Sequence, residues 1–111
     1  MGVTDGPLYL IAVIRPRPDR VEEAESALRA LMAGTHAEPG CVFMELTEAS
    51  DEPGTWVMFE KFRSRADWEQ HMLTEHVVRG NALLADLLRE PTELRFYTAL
   101  PEVDSPLTSS G

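Results

Sequence analysis

Apolar and polar residues alternate with two different periodicities along the chain, and together these predict four strands and two helical regions. Residues 8–14 are almost wholly apolar, which is typical of a strand buried on both faces in the middle of a sheet. Residues 41–46 and 55–62 are rich in strand-forming types and flank a Pro-Gly loop, so they predict a hairpin. Residues 92–100 alternate and predict a fourth strand.

The helical period appears first after Pro18, where an apolar stripe runs from Val21 to Met32 with charged residues on the opposite side. A second helix is predicted from about Arg65, because Ser64 and Asp67 have the spacing of a helix cap. We expect this helix to break near Thr74 and a second helical piece to end before Pro91.

The predicted order is β-α-β-β-α-β, the ferredoxin-like pattern of an α+β fold. Such a fold has a four-stranded antiparallel sheet with helices on one face only. The strands carry apolar residues on both faces, however, so the face without helices needs a partner. The sequence therefore predicts a homodimer formed through the bare face of the sheet.

Length and charge limit the possible partners and locations. The 111 residues suit a single domain, predicted over residues 7–100, with a flexible leader at 1–6 and a disordered, Pro/Ser/Thr-rich tail at 101–111. A formal net charge of −9 argues against nucleic-acid or anionic-membrane binding, and one cysteine excludes an internal disulfide. No signal peptide or 18-residue apolar run is present, so we expect a cytoplasmic protein with no membrane partner.

Four strings resemble the antibiotic biosynthesis monooxygenase family, and they occur in the family's order. They are IRPRP from Ile14, EPGC from Glu38, MFEKF from Met58 and HMLTEH from His71. The resemblance implies a dimeric α+β barrel. It also implies a cofactor-independent oxygenase that acts on quinols or polycyclic anthrone-type aromatics, with no metal, flavin or haem.

The sequence also departs from parts of the family pattern. The haem-degrading branch is expected to carry an Asn late in the first strand and an axial histidine in the last helix. Here those regions read Ala12-Val13-Ile14 and Arg79-Gly80-Asn81, so we expect no haem degradation. Met44 stands where many members have a tyrosine, which removes one phenol from the site.

Cofactor-free oxygenation requires a base that works near neutrality, a surface that holds the aromatic ring, and exclusion of water. His71 suits the role of base by residue type, although a purely structural histidine between helix and sheet is the alternative. Glu60 is the second catalytic candidate. It is a base, a partner that orients His71, or a structural carboxylate paired with an arginine such as Arg15 or Arg95.

The remaining candidates are aromatic, sulfur-containing or polar side chains predicted near this histidine. A metal site is not expected, because His71 and His76 would lie about 140° apart on a continuous helix. His36, near the end of the first helix, is expected only to interact with the helix dipole. The substrate-binding candidates are Trp56, Trp68, Met72, His76 and Phe43.

The resulting expectation is a cofactor-free monooxygenase whose partners are a small aromatic substrate, O2 and a second copy of the chain. Two alternatives stay open: an isomerase or small-metabolite-processing enzyme on the same barrel, and a non-catalytic dimeric ligand-binding module. An apolar cavity of roughly 300 Å³ or more with His71 on its wall would favour an enzyme, and a filled core would favour the binding module.

Overall fold

The sheet of this protein is antiparallel, has four strands, and is covered on one face by three helices in a computed structural model that describes residues 6–100. The predicted order is confirmed, with the second helical region divided in two. The predicted leader (apart from Gly6) and the predicted tail lie outside the described residues. The elements are β1 (Leu8–Ile14), α1 (Val21–His36), β2 (Cys41–Glu48), β3 (Trp56–Phe62), α2 (Arg65–Met72), α3 (Glu75–Leu84) and β4 (Glu93–Thr98).

The strands lie in the order β2-β3-β1-β4, so the apolar strand β1 is central, as its composition predicts. Side chains alternate strictly along β1 and β3, and every second one is buried against the helices. On β3 these helix-facing residues are Trp56, Met58, Glu60 and Phe62. Glu60 therefore lies on the helix-covered face and not on the bare face.

A β-bulge changes the side-chain alternation at the start of β2. The register with β3 shifts between Cys41 and Phe43, leaving Val42 as the extra residue with an exposed side chain. Beyond the bulge, Met44 pairs with Glu60 on the helix-covered face, whereas Phe43 pairs with Lys61 on the bare face. The bulge thus decides which residues of β2 can reach the interior.

The second helical region breaks where the sequence predicts. The Ser64 side chain accepts a hydrogen bond from the Asp67 backbone at 3.1 Å and begins α2, as expected of a cap. This helix ends at Met72. Thr74 then donates its hydroxyl to the carbonyl of His71 at 2.7 Å, just before α3 begins. The break places α2 and α3 as separate short helices over the sheet.

None of the helices formed by residues 6–100 combines the length and the apolar character needed to cross a membrane. The bare face of the sheet, by contrast, is apolar, and no other element of the described part of the chain covers it. Phe43, Phe59 and Tyr97 on that face are each more than two-fifths exposed. The apolar side chains on the helix-covered face are buried and those on the bare face are exposed. This difference is what we expect of a sheet whose bare face packs against a partner.

Candidate active site

A cavity of about 410 Å³ lies between the helix-covered face of the sheet and the helices. Its wall is mainly apolar, and it includes Leu10, Ile14, Leu31, Met44, Met58 and Val77. Away from the mouth, two ionisable residues interrupt this apolar wall, His71 from α2 and Glu60 from β3. The volume falls in the range of small-molecule sites, which combine apolar walls with few polar groups.

The mouth of the cavity is formed mainly by the segment between α3 and β4, together with Asn81 of α3 and Leu94 of β4. Asn81, residues 89–92 and Leu94 line the cavity and are exposed, unlike the buried residues deeper inside. Two backbone hydrogen bonds tie the start of this segment to the end of β1: Arg17 donates to the Leu87 carbonyl, and Arg89 donates to the Arg15 carbonyl, both at 2.9 Å. The mouth is therefore anchored to the central strand.

His71 is buried, with only 5% of its side chain exposed, and its ring lies 4.8 Å from the ring of Phe62. Its Nδ1 atom is 3.0 Å and 3.2 Å from the two carboxylate oxygens of Glu38. Because Glu38 occupies Nδ1, Nε2 is the nitrogen that remains for the cavity. This arrangement leaves His71 equipped to accept a proton from a bound molecule.

His76 reaches the same carboxylate from the other side. Its Nε2 atom lies 2.5 Å from Oε2 of Glu38 and 3.2 Å from the hydroxyl of Thr74. The helix break makes this possible, so the 140° separation expected for a continuous helix does not apply. His76 itself does not line the cavity; its side chain is 27% exposed at the protein surface.

Glu38, His71 and His76 are also the side chains in the described part of the chain that could hold a metal ion. One ligand atom from each lies within 4.8 Å of the other two. Two imidazoles and a carboxylate are a donor set that divalent transition metals accept. In the structure, however, each of these atoms is engaged in a hydrogen bond within the cluster.

Glu60 stands in the cavity wall without a charged neighbour. Within residues 6–100, no side chain lies within hydrogen-bonding distance of its carboxylate, and the predicted arginines pair elsewhere: Arg15 with Glu52 and Glu90, Arg95 with Glu93. Burial raises the pKa of Glu60 to about 7. The structure thus leaves Glu60 as a group that can gain or lose a proton near neutrality.

The other predicted substrate contacts divide into two groups. Trp68 and Met72 line the cavity, and the Trp68 ring meets Phe96 edge to face with centroids 4.9 Å apart. Trp56 is buried in the core beside the cavity but does not line it. Phe43 lies on the opposite face of the sheet, where the bulge at Val42 directs it, and so does not reach the cavity.

Cys41 is close enough to the acidic residues to be affected by them. Burial, and secondly the negative charges of Glu38 and Glu60, raise the pKa of its thiol to about 11. The thiol therefore stays protonated near neutral pH and is a poor nucleophile.

Glu38 is the residue that sequence reasoning missed as a member of the site. It lies in the EPGC string, between α1 and β2, and is 33 residues from His71 along the chain. An acidic residue beside Pro-Gly is typical of an ordinary loop. The sequence feature that could have pointed to Glu38 is the presence of both EPGC and the two histidines of HMLTEH in one chain.

The family model described as "Antibiotic biosynthesis monooxygenase" matches residues 7–83. A curated relative, "Putative monooxygenase Rv0793" of Mycobacterium tuberculosis, is 32% identical over 89% of this chain and 97% of its own length. Its solved structure superposes with a TM-score of 0.82 and is covered completely. The structure of PA3566 from Pseudomonas aeruginosa is 33% identical, with a TM-score of 0.78 over 90% of this chain and all of that one.

Proposed function

Since the chain belongs to the antibiotic biosynthesis monooxygenase family, we propose that it is a cofactor-independent monooxygenase that oxidises a planar quinol- or anthrone-type substrate with O2. The observation that carries this proposal is the cavity of about 410 Å³, in which His71 and Glu60 lie on a mainly apolar wall and the other polar residues lie at the mouth. Family membership supports a monooxygenase-type activity, and the cavity supports an aromatic substrate of modest size.

His71 removes the acidic proton of the substrate through Nε2. The resulting anion is electron-rich and passes one electron to O2, giving a substrate radical and superoxide, which combine into a peroxide. Loss of water from the peroxide leaves one oxygen atom on the substrate. For an anthrone, the CH2 group becomes a carbonyl, one O2 is consumed and one water is released.

Glu60 acts in its protonated form. An ionised carboxylate in this wall would repel the substrate anion across an apolar cavity, whereas the neutral acid can donate a hydrogen bond to a substrate oxygen. Its pKa of about 7 keeps a large share protonated at neutral pH. Trp68 and Met72 offer apolar surface for the ring, and a substrate that fills the mainly apolar cavity would displace water from the reacting atoms.

The test is oxygen uptake by the EDTA-treated protein with a panel of quinols and anthrones. We expect uptake of one O2 per substrate, above the spontaneous rate. We expect a fall on the order of 100-fold for His71→Gln, since a positioned base contributes about 10²- to 10⁴-fold. His36→Gln is the matched control, because His36 bonds the Met44 carbonyl and lies outside the cavity; it should retain activity.

Two results would count against this proposal. Uptake that is unchanged in His71→Gln would remove His71 as the base and leave the proton chemistry to Glu60 or to the substrate. The absence of uptake with every substrate would favour the isomerase. That alternative has one observation in its support, since two groups that exchange protons on one cavity wall also suit moving a proton within a substrate.

A further inference from the structure

The hydrogen atoms of the Glu38 cluster can be assigned from the contacts alone. Thr74 uses its hydroxyl hydrogen on the His71 carbonyl, at 2.7 Å. Its contact of 3.2 Å with Nε2 of His76 therefore requires a hydrogen on that nitrogen, because an oxygen without a free hydrogen can only accept. His76 thus carries a hydrogen on Nε2 and donates it to the Glu38 carboxylate, the shorter contact, with the Thr74 hydroxyl as a second, more distant acceptor of the same hydrogen.

Assigning each hydrogen to a donor in the same way determines the tautomer of His71. An ionised carboxylate only accepts hydrogen bonds, so Glu38 must receive a hydrogen from Nδ1 of His71 as well as one from His76. In the neutral His71 ring the hydrogen is then on Nδ1, and Nε2 carries a free lone pair. This is the tautomer that a base facing the cavity needs.

We propose that Glu38 and His76 are positioning residues for His71, forming a His76–Glu38–His71 triad that holds the ring in its Nδ1–H tautomer with Nε2 free for the substrate. Glu38 orients the ring and stabilises the positive charge that His71 acquires when it takes a proton. His76 fixes the second side of the carboxylate. The catalytic meaning of this triad rests on the proposed function, whereas the tautomer is a property of the resting protein.

The packing around the triad supports a fixed arrangement. A Cβ atom added at Gly34 of α1 would lie 2.5 Å from Cγ of His76, so the ring occupies space that only a glycine leaves. The carboxylate is also shielded, with 16% of the Glu38 side chain exposed. A hydrogen bond to an ionised group is stronger than a neutral one, and more so away from water.

The first experiment is NMR of the full chain with 15N-labelled histidine, which reads the tautomer of each ring without any substrate. The chain has three histidines, and His36→Gln and His76→Phe assign the signals. We expect His71 to be in the Nδ1–H form in the wild-type protein and in His36→Gln. In Glu38→Gln we expect a mixture with the Nε2–H form, because a neutral amide is a weaker acceptor and can also donate.

His76→Phe and Gly34→Ala probe the outer member of the triad. Both should reduce the share of the Nδ1–H form at His71, the second by displacing a ring that is still present. Circular dichroism and thermal unfolding identify variants that do not fold. If these two variants fail to fold, the tautomer of His71 in Glu38→Gln tests the proposal. The proposal is overturned if wild-type His71 carries its hydrogen on Nε2, or if Glu38→Gln leaves the tautomer unchanged.

Adding Zn2+ to the labelled protein distinguishes the triad from a metal site. If micromolar Zn2+ displaces the hydrogens of His71 and His76 and raises the melting temperature, the cluster is a metal centre and the proposal fails. If the spectra are the same with Zn2+ and with EDTA, the hydrogen-bonded triad stands.

Kinetic measurements distinguish the positioning role of Glu38 from the proposed monooxygenase function. With a substrate that supports oxygen uptake, Glu38→Gln should lower kcat on the order of 100-fold with little change in KM, and Glu38→Asp should recover part of the loss. An unchanged kcat in Glu38→Gln would overturn the positioning role even where oxygen uptake stands. Conversely, an Nδ1–H tautomer without uptake for any substrate would overturn the proposed function and leave the triad intact.

Discussion

At the scale of single residues, Glu60 shows how the surroundings of a side chain determine its chemistry. The carboxyl lies in an apolar wall without a basic neighbour, and burial raises its pKa to about 7. The folded protein therefore binds a proton at Glu60 that the unfolded chain, with a pKa near the ordinary 4.5, releases earlier. The resulting stability is present below about pH 4.5 and is lost as the pH rises to about 7.

We expect Glu60→Gln to stabilise the protein at pH 8 and to have little effect at pH 4.5. The amide has nearly the same size and never ionises, so it avoids the cost of placing a charge in the wall. That cost is at most about 3 kcal/mol for a pKa raised from 4.5 to about 7. Urea unfolding at both pH values measures the difference in the free energy of unfolding.

Glu69→Gln on α2 is the matched control, because Glu69 is exposed and the same change should leave the free energy of unfolding nearly unaltered. If the free energies of unfolding of Glu60→Gln and the wild-type protein differ by the same amount at pH 4.5 and at pH 8, burial does not raise the pKa of Glu60.

At the scale of secondary structure, the hydrophobic pattern predicts the elements because each one buries a face with its own period. The central position of β1 follows from its apolar composition, and the break near Thr74 is visible in the sequence. The contact between Glu38 and His71 is not, because it depends on the path of the loop before β2 and on how α2 packs. The position of Phe43 depends on a one-residue bulge, which leaves no mark in strands that are apolar on both faces.

The short helix α2 depends on its N-terminal cap. It has eight residues, of which only His71 is fully buried, while Trp68 and Met72 pack partly against the core. We expect Ser64→Ala to lower the free energy of unfolding by about 1 kcal/mol, since the Asp67 backbone amide loses its partner. Thermal or urea unfolding measures this loss.

Ser26→Ala on α1 serves as the comparison. Ser26 is exposed in the interior of a helix, where alanine is the better helix former. This variant should be as stable as the wild-type protein or slightly more so. Equal effects of the two substitutions would mean that the Ser64 cap does not stabilise α2.

At the scale of the whole molecule, the bare face of the sheet is an apolar surface that no helix of residues 6–100 covers. Tyr9, Ile11, Phe43, Phe59 and Tyr97 surround a shallow depression of about 370 Å³ on this face. Apolar patches of this kind on small domains are typical of interfaces. The dimer predicted from the sequence would bury them against the same surface of a second copy.

We expect the wild-type protein to have the mass of two chains by size-exclusion chromatography with light scattering, and Phe59→Asp to have the mass of one. A carboxylate at the centre of an apolar interface would be buried without a partner, which is strongly unfavourable. Leu73→Asp is the matched control, because Leu73 is 74% exposed between α2 and α3, away from the sheet. A monomeric wild-type protein, or a dimer that persists in Phe59→Asp, would contradict this prediction.

The anchoring of the cavity mouth to β1 has a consequence for how such a protein can change over generations. The hydrogen bonds at Arg15 and Arg17 fix the chain up to Arg89, so residues 89–92 form a short exposed rim with a firm base. The triad comes from other stretches of the chain, at Glu38, His71 and His76. If the cavity is the active site we propose, replacements or insertions in the rim would alter which molecules enter without changing the triad, so substrate range and reaction type could evolve separately.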